Sequence, residues 1–422
     1  MLERINIMHF NSIYNSISTL LQFTFYCEVK LNNSKIAFLV DKSAPFFIGG
    51  YETEVYTYAK MLSNQNEYCA IYTSLDVAST TLDSIKFIKV SGMWFQKNRT
   101  NRSYLHSMLF SFALTKTPKG ILDSNVIIIE SIPYFHLFFL KRWLKKAHKL
   151  GIKKVLLVEE AWFHYGKKKS ILNAIRNRLI MFLVKSNEPY FDYYWAISNV
   201  TGVSLLQNYH ISKEKVRIIP PGHLEISKID SFLQKSWRKY KKYDFVTIGR
   251  LVEIKHINHF LKALAKMKNE YAWNGCAAVI GEGPIYLKLV KLCDELGISK
   301  NVKFMGNLET TQKYEVICSS NVFILCSERE GLSHSTLEAI SFGLPSLVAR
   351  PVYNEVFGVS DLVKDFVNGF YYDVGDIDTL AQKMNYMLEN PELMAAFGKK
   401  SREIAKNYDV GLTFKKFMEL VS

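Results

Sequence analysis

Two carboxylates, Glu330 and Glu338, stand eight residues apart in the stretch SEREGLSHSTLEAISFGLPSLV, which runs from Ser327 to Val348. The apolar run VFILCS before them reads as a buried strand and STLEAISF as a helix, so the pair straddles a strand-to-helix corner. A helix start offers free backbone N–H groups and a partial positive charge, which suits a phosphate. Glu330, leaving the strand, would then accept hydrogen bonds from sugar hydroxyls, and Glu338 from a ribose diol. The plain alternative makes Ser335-x-x-Glu338 a capping box and Glu338 a helix-start carboxylate worth about 1 kcal/mol.

Other strand ends supply what a phosphate needs. TIGRLVEIKH sets Gly249, Arg250 and Lys255 just past a strand. Two fixed cations there can neutralise a diphosphate leaving group as its charge grows, without a bound metal. FFIGGYETE places Gly49 and Gly50 between the first strand and a helix, where bare amides could reach the same phosphate. IGEGP, Ile280 to Pro284, repeats the strand-then-glycine pattern. Taken singly, solvation explains the cations and an ordinary turn explains the glycine pair.

The elements that must position these residues alternate along the chain. At 422 residues, nearly half of them apolar, two domains of about 200 residues are expected. KIAFLV, NVIIIE, KVLLVEE and YYWAIS read as buried parallel strands with helical patterns between them. After Pro220-Pro221-Gly222 and a basic segment ending KSWRKYKKYD, a second series begins: DFVTIGR, CAAVIGEG, VKFMG, VFILCS and PSLVAR. The fold class predicted is α/β, two doubly wound domains whose ligands sit beyond the carboxyl ends of the strands, facing the cleft between them.

Charge is uneven. Residues 1–222 hold 28 of the 54 Lys and Arg but 15 of the 39 Asp and Glu, so they carry +13 of the net +15. Most of the excess lies in KRWLKKAHKLGIKK and GKKKSILNAIRNRLIMFLVK, where bases alternate with apolar residues at helical spacing. Such stretches suit an anionic membrane or acidic partner, or else a solvated outer face. No nucleic-acid motif accompanies them. The longest apolar run, Val126 to Leu140, is interrupted by Glu130, Pro133 and His136 and is too short to span a bilayer. Residues 1–34 lack the basic start and cleavage site of a signal peptide and read as an extension of unknown role. Six scattered cysteines suggest neither zinc nor disulfides and fit a reducing cytosol. DVGDID, Asp373 to Asp378, has carboxylates at metal-like spacing, but capping of the following helix by Asp376 or Asp378 explains it better, so no metal is predicted. The aromatics of YFHLFFL and YFDYYW read as core.

Together these stretches resemble the nucleotide-sugar glycosyltransferases of the GT-B fold, in particular the retaining family 4 (group 1) enzymes. The resemblance covers roughly 35–410, in the right order. GGYETEVYTYAKML resembles that family's first glycine loop and helix, and RIIPPG its end of the first domain. GRLVEIKHINHFLKAL, GEGP, VKFMGNL, the Glu-x7-Glu block and DLVKDFVNGFYYDVGDIDTLAQKM follow. The resemblance implies an extension at 1–34, an acceptor-binding Rossmann-like domain at 35–222, a linker at 223–243 and a donor-binding domain at 244–400. A C-terminal helix at 401–422 would pack back on the first domain.

By the same resemblance, Arg250 and Lys255 hold the donor diphosphate, Glu338 the ribose, and Glu330 contacts the transferred sugar. The amides of Gly331, Leu332, Ser333, His334 and Ser335, with Gly49, Gly50 and Gly249, flank the donor. One departure stands out: in LLVEEAWFHYG, Glu159 occupies the family's usual histidine position and Glu160 the acidic one. Glu159 might act as a polar positioner or, with a raised pKa, as a weak base. His164 might reach in instead, or catalysis might be impaired. The resemblance thus implies a cytosolic, metal-independent hexosyltransferase, without cofactor, at the inner face of a membrane. It would use a UDP- or GDP-sugar and a sugar or lipid-linked hydroxyl acceptor. A nucleotide-sugar 2-epimerase and a non-catalytic sugar-nucleotide-binding partner of an active transferase stand as alternatives.

Overall fold

A computed structural model describes residues 35–41, 43, 50–65, 67–74, 81–90, 104–131, 134–159, 171–222, 224–234, 241–351 and 357–422. Its strands form two sheets. The first comprises β1 (Lys35–Val40), β2 (Tyr68–Thr73), β3 (Thr81–Leu82), β4 (Ile85–Lys89), β5 (Val126–Glu130), β6 (Lys153–Val158), β7 (Tyr193–Ala196) and β8 (Val216–Ile218), in the order β3-β4-β2-β1-β5-β6-β7-β8. Every pairing is parallel except β3 against β4, a two-residue edge. The near-continuous apolar strands follow from burial on both faces.

The second sheet comprises β9 (Tyr243–Ile248), β10 (Ala277–Ile280), β11 (Val302–Phe304), β12 (Ser320–Leu325), β13 (Ser346–Arg350) and β14 (Gly369–Asp373). Its order is β11-β10-β9-β12-β13-β14, all parallel. Strand order reverses between β9 and β12. At such a switch point the loops leaving the two strands diverge to opposite faces and open a crevice at their carboxyl ends. The first sheet has the same reversal between β1 and β5.

Helices cover both faces. In the first lobe they are α1 (Gly50–Asn64), α2 (Tyr104–Ala113), α3 (His136–Lys149), α4 (Ile171–Asn187) and α5 (Asn199–Gln207). Then come α6 (Ile226–Gln234), α7 (Ile257–Glu270), α8 (Tyr286–Glu295), α9 (Thr310–Cys318), α10 (His334–Ser341), α11 (Ile377–Glu389), α12 (Pro391–Lys406) and α13 (Val410–Val421). α6 falls where a linker was expected, because Ile226 and Ile229, three residues apart, give the segment a buried side. Its Asp230 pairs with Arg402 of α12. The segment expected as one helix over 401–422 is broken at Asn407–Asp409, where Asp409 caps α13 through Gly411 N–H at 2.9 Å.

α13 follows the second lobe in sequence but lies on the first. Phe417, fully buried, stacks on Tyr58 of α1 with centroids 4.8 Å apart, and on Trp195 of β7 at 5.4 Å. The crossing is fixed by Val410 N–H to Leu224 O at 2.8 Å and Ile226 N–H to Asp409 Oδ2 at 3.1 Å. A buried cluster consequently runs from β1 through α13 into the core beneath β9 and β12.

The aromatic runs divide. Phe191, Tyr194 and Trp195 are core, as expected. Phe135 and Phe138 are not: they lie on the outward side of α3, whose inward side already holds Leu137, Leu140, Trp143 and Leu144.

Candidate functional site

The crevice of the second sheet gathers the residues singled out by their spacing. After β9 the chain turns tightly at Gly249, then passes Arg250, exposed, to a single 3-10 turn Glu253–Lys255 and into α7. After β12 it runs through Cys326 to Gly331 and into α10. The exits meet: Lys255 Nζ forms an ion pair with Glu330 Oε1, both largely buried. The neighbouring His256 Nε2 lies 3.1 Å from Glu328 Oε2, and Glu328 N–H donates to Ile254 O at 3.1 Å.

Glycines bring the backbones this close. Gly249 N–H donates to Ile280 O at 3.0 Å, and a Cβ on Gly281, which has φ +130°, would lie 2.0 Å from Gly249 O. Gly358 donates to Glu330 O at 3.0 Å, and a Cβ there would lie 1.5 Å from Gly331 O. Residues 357–358 thus buttress the loop that carries Glu330.

α10 begins differently from its expected register. Ser333 is the N-cap, its Oγ accepting from Thr336 N–H at 3.3 Å. Ser335 therefore lies inside the first turn and bonds Ser333 Oγ at 3.2 Å, so the capping box between Ser335 and Glu338 does not form. Glu338 sits one turn further on and pairs with Lys313 of α9 at 2.5 Å. Gly331, Leu332 and Ser333 are buried and His334 is half-buried, which brings the start of α10 up behind Glu330. Lys313 was missed by spacing, since only the fold brings a residue of α9 to Glu338.

In the first lobe, Gly50 opens α1; Gly49 lies outside the described residues, as do Glu160 and His164. Glu159 directly follows β6 at its carboxyl end, and its backbone oxygen accepts from Thr201 Oγ1 at 3.4 Å. Polar groups are buried at this sheet's own switch point. Asp41 N–H donates to Glu130 Oε2 at 2.8 Å, Ser74 Oγ donates to Asp41 Oδ1 at 2.7 Å, and His136 is enclosed nearby. Across the lobes, Asn199 N–H donates to Asp361 Oδ2 at 2.6 Å. Asp376 caps α11 through Thr379 N–H at 3.0 Å, which is the use expected for DVGDID.

Fixed cations, an acid on each exit loop and the start of α10 around one crevice can bind a diphosphate and hydroxyls together. Comparison with known proteins agrees. Residues 229–404 match the sequence model of the glycosyl transferases group 1 family. An uncharacterized glycosyltransferase of Haemophilus influenzae is 25% identical over 306 residues, 71% of this chain and 77% of the relative. The chain belongs to the group 1 glycosyltransferases. A second relative of this transferase is an alpha-1,4-N-acetyl-D-galactosaminyltransferase of Campylobacter jejuni, whose full name includes a diNAcBac-PP-undecaprenol-linked glycan. It is 26% identical over 280 residues, 65% of this chain and 70% of its own. The crystal structure of Anabaena HepE in complex with UDP superposes with a TM-score of 0.65, covering 91% of this chain and 98% of HepE; at 19% identity it shows the shared GT-B fold. The family and fold expected from Gly-Arg-x4-Lys and Glu-x7-Glu are those found.

Proposed function

We propose that this group 1 transferase moves a hexosyl unit from a UDP- or GDP-sugar to a hydroxyl acceptor with retention of configuration, in glycan, glycolipid or cell-envelope biosynthesis. The observation that carries this reading is the meeting of Lys255 and Glu330 at the β9/β12 switch point, with Arg250 on the same turn. In the bound state Arg250 and Lys255 hold the diphosphate, and their charge stabilises it as a leaving group without a divalent ion. Glu330 contacts the transferred sugar and Glu338 the ribose, each exchanging a lysine contact for hydroxyls. Gly249 and the amides of Gly331 to Ser335 line the diphosphate, with Gly49 and Gly50 approaching from the first lobe. Glu159, at the carboxyl end of β6, positions the acceptor hydroxyl or receives its proton.

Arg250→Ala and Lys255→Ala should each lower donor turnover by about 10- to 1000-fold, measured as nucleoside diphosphate release from a panel of UDP- and GDP-hexoses. Near-normal turnover in both would remove their role. A wild-type protein that binds UDP or GDP yet turns over no donor would be a binding partner, not an enzyme.

The acceptor side faces an anionic membrane in this reading, with the protein in the cytosol. α2 packs on α3 and α3 on α4, on one face of the first sheet. Their outward sides show Phe112, Phe138 and Phe182, each about two-thirds exposed, beside Met108, Ile175 and Leu179. Arg142, Lys145 and Lys149 share the Phe138 stripe, and neither α3 nor α4 contains a carboxylate. Apolar rings amid unopposed bases suit a lipid headgroup boundary. Among the described residues no helix is long and apolar enough to cross a membrane. Sedimentation with vesicles containing anionic lipid should capture the protein at low salt and less at high salt, and Phe138→Ser should weaken capture at both. No capture at low salt would remove the membrane from the proposal.

A further inference from the structure

Three successive residues of the β9 exit are stitched to the β12 exit. The carbonyl of Ile254 accepts from Glu328 N–H, Lys255 pairs with Glu330, and His256 Nε2 meets Glu328 Oε2 at 3.1 Å. An ionised carboxylate only accepts, so Nε2 carries the proton. His256 makes this contact from a left-handed backbone, φ 46° and ψ 38°. A non-glycine residue there costs about 1 kcal/mol or more, whereas glycine adopts the same conformation freely. Its ring lies flat on His259 in the first turn of α7, centroids 4.6 Å apart and planes within 4°, which fixes the direction of Nε2. Local stability alone would favour glycine at this corner; the side chain is kept in a strained backbone and aimed at a carboxylate.

We infer that His256 and Glu328 form a positioning clamp that fixes how Lys255 and Glu330 face the donor. The inference rests on the donor reading of this crevice. Lys255 has a flexible stem, and a single ion pair between two loops leaves them free to rock about it. A second rung one residue along on one loop and two along on the other removes that freedom. His256 and Glu328 act through their neighbours, without touching the donor. Diphosphate affinity depends chiefly on charge, which the clamp does not supply, while reaction depends on placement to a fraction of an ångström. Loss of the clamp should therefore reduce turnover more than affinity.

The test uses the full chain, with UDP and GDP affinity by calorimetry and turnover across the UDP- and GDP-hexose panel. His256→Gly should keep or raise the Tm, because strain is relieved, yet lower kcat/KM about 10- to 100-fold with Kd within about threefold of wild type. Glu328→Ala should cause a similar loss, and the double variant should be no worse than either single, since each acts through the other. His256→Gln, which restores a donor at the reach of Nε2, should recover most of the activity. An active wild type with unchanged kcat/KM in His256→Gly and Glu328→Ala, or additive losses in the double variant, refutes the clamp and leaves the donor reading intact. A wild type that binds neither nucleotide and consumes no donor refutes the donor reading and the clamp with it. Should His256→Gly fail to fold, Glu328→Ala and His256→Gln still decide the matter.

Discussion

Glu54 of α1 is fully buried, and neither carboxyl oxygen has a hydrogen-bond partner. Burial pushes its pKa up from 4.5 to about 8, so it is held as the neutral acid near pH 7. His136, equally buried, is driven down by burial from 6.5 to about 4 and stays neutral. The two act on opposite sides of neutrality. With the folded value of Glu54 above the unfolded one, its contribution is complete below pH 4.5 and lost as pH rises toward 8. With the folded value of His136 below the unfolded one, its contribution is present above pH 6.5 and lost as pH falls toward 4. Glu54→Leu should therefore raise stability by about 1–3 kcal/mol at pH 8 and by less at pH 5, in urea unfolding followed by fluorescence. An equal change at both pH values would show that the carboxyl is not protonated in the fold. Neither residue drew notice in the sequence, where GGYETE reads as a polar helix start and burial of its second glutamate depends on packing outside that stretch.

Strand ends carried much of the site's legibility. Apolar bursts followed by glycine placed β9, β10 and β12, and with them Gly249, Arg250, Lys255 and Glu330, because a two-sided parallel strand leaves a plain trace in composition. The start of α10 was less legible: Ser333 and Ser335 are both good caps, and the local pattern favoured the wrong one. Lys313 and His256 were not found at all, since their partners are 25 and 72 residues away and only the sheet order joins them. Backbone contact at the loop is testable at this scale. Gly358→Ala has no room beside Gly331 O, so it should displace residues 357–358 and cost about 1–3 kcal/mol. It should also lower kcat/KM, because Glu330 loses the buttress of its carbonyl. Thermal unfolding with unchanged Tm and turnover would mean that the loop does not lean on residues 357–358.

Across the whole molecule, two doubly wound sheets could be read from the alternation of patterns, but the connection between them could not. The segment around Pro220–Gly222 looked like a boundary, while Tyr58 Oη donates to Pro220 O at 3.2 Å and a Cβ on Gly222 would strike Thr413 Oγ1 at 2.4 Å. Helix α1, this crossing and α13 are one packed unit. Phe417→Ala should cost about 3–5 kcal/mol, and since Phe417 touches Phe38, Tyr58 and Trp195, calorimetry should show the first lobe melting earlier. A uniform shift of a single transition would instead mean that the lobes melt as one. The placement of α13 also sets an order of events during synthesis. Trp195 and Tyr58 leave the ribosome some two hundred residues before the ring that covers them, so the growing lobe must spend that interval with a greasy flank uncovered. Chaperone capture in those seconds, rather than the equilibrium strength of the finished protein, would then govern how much of it survives.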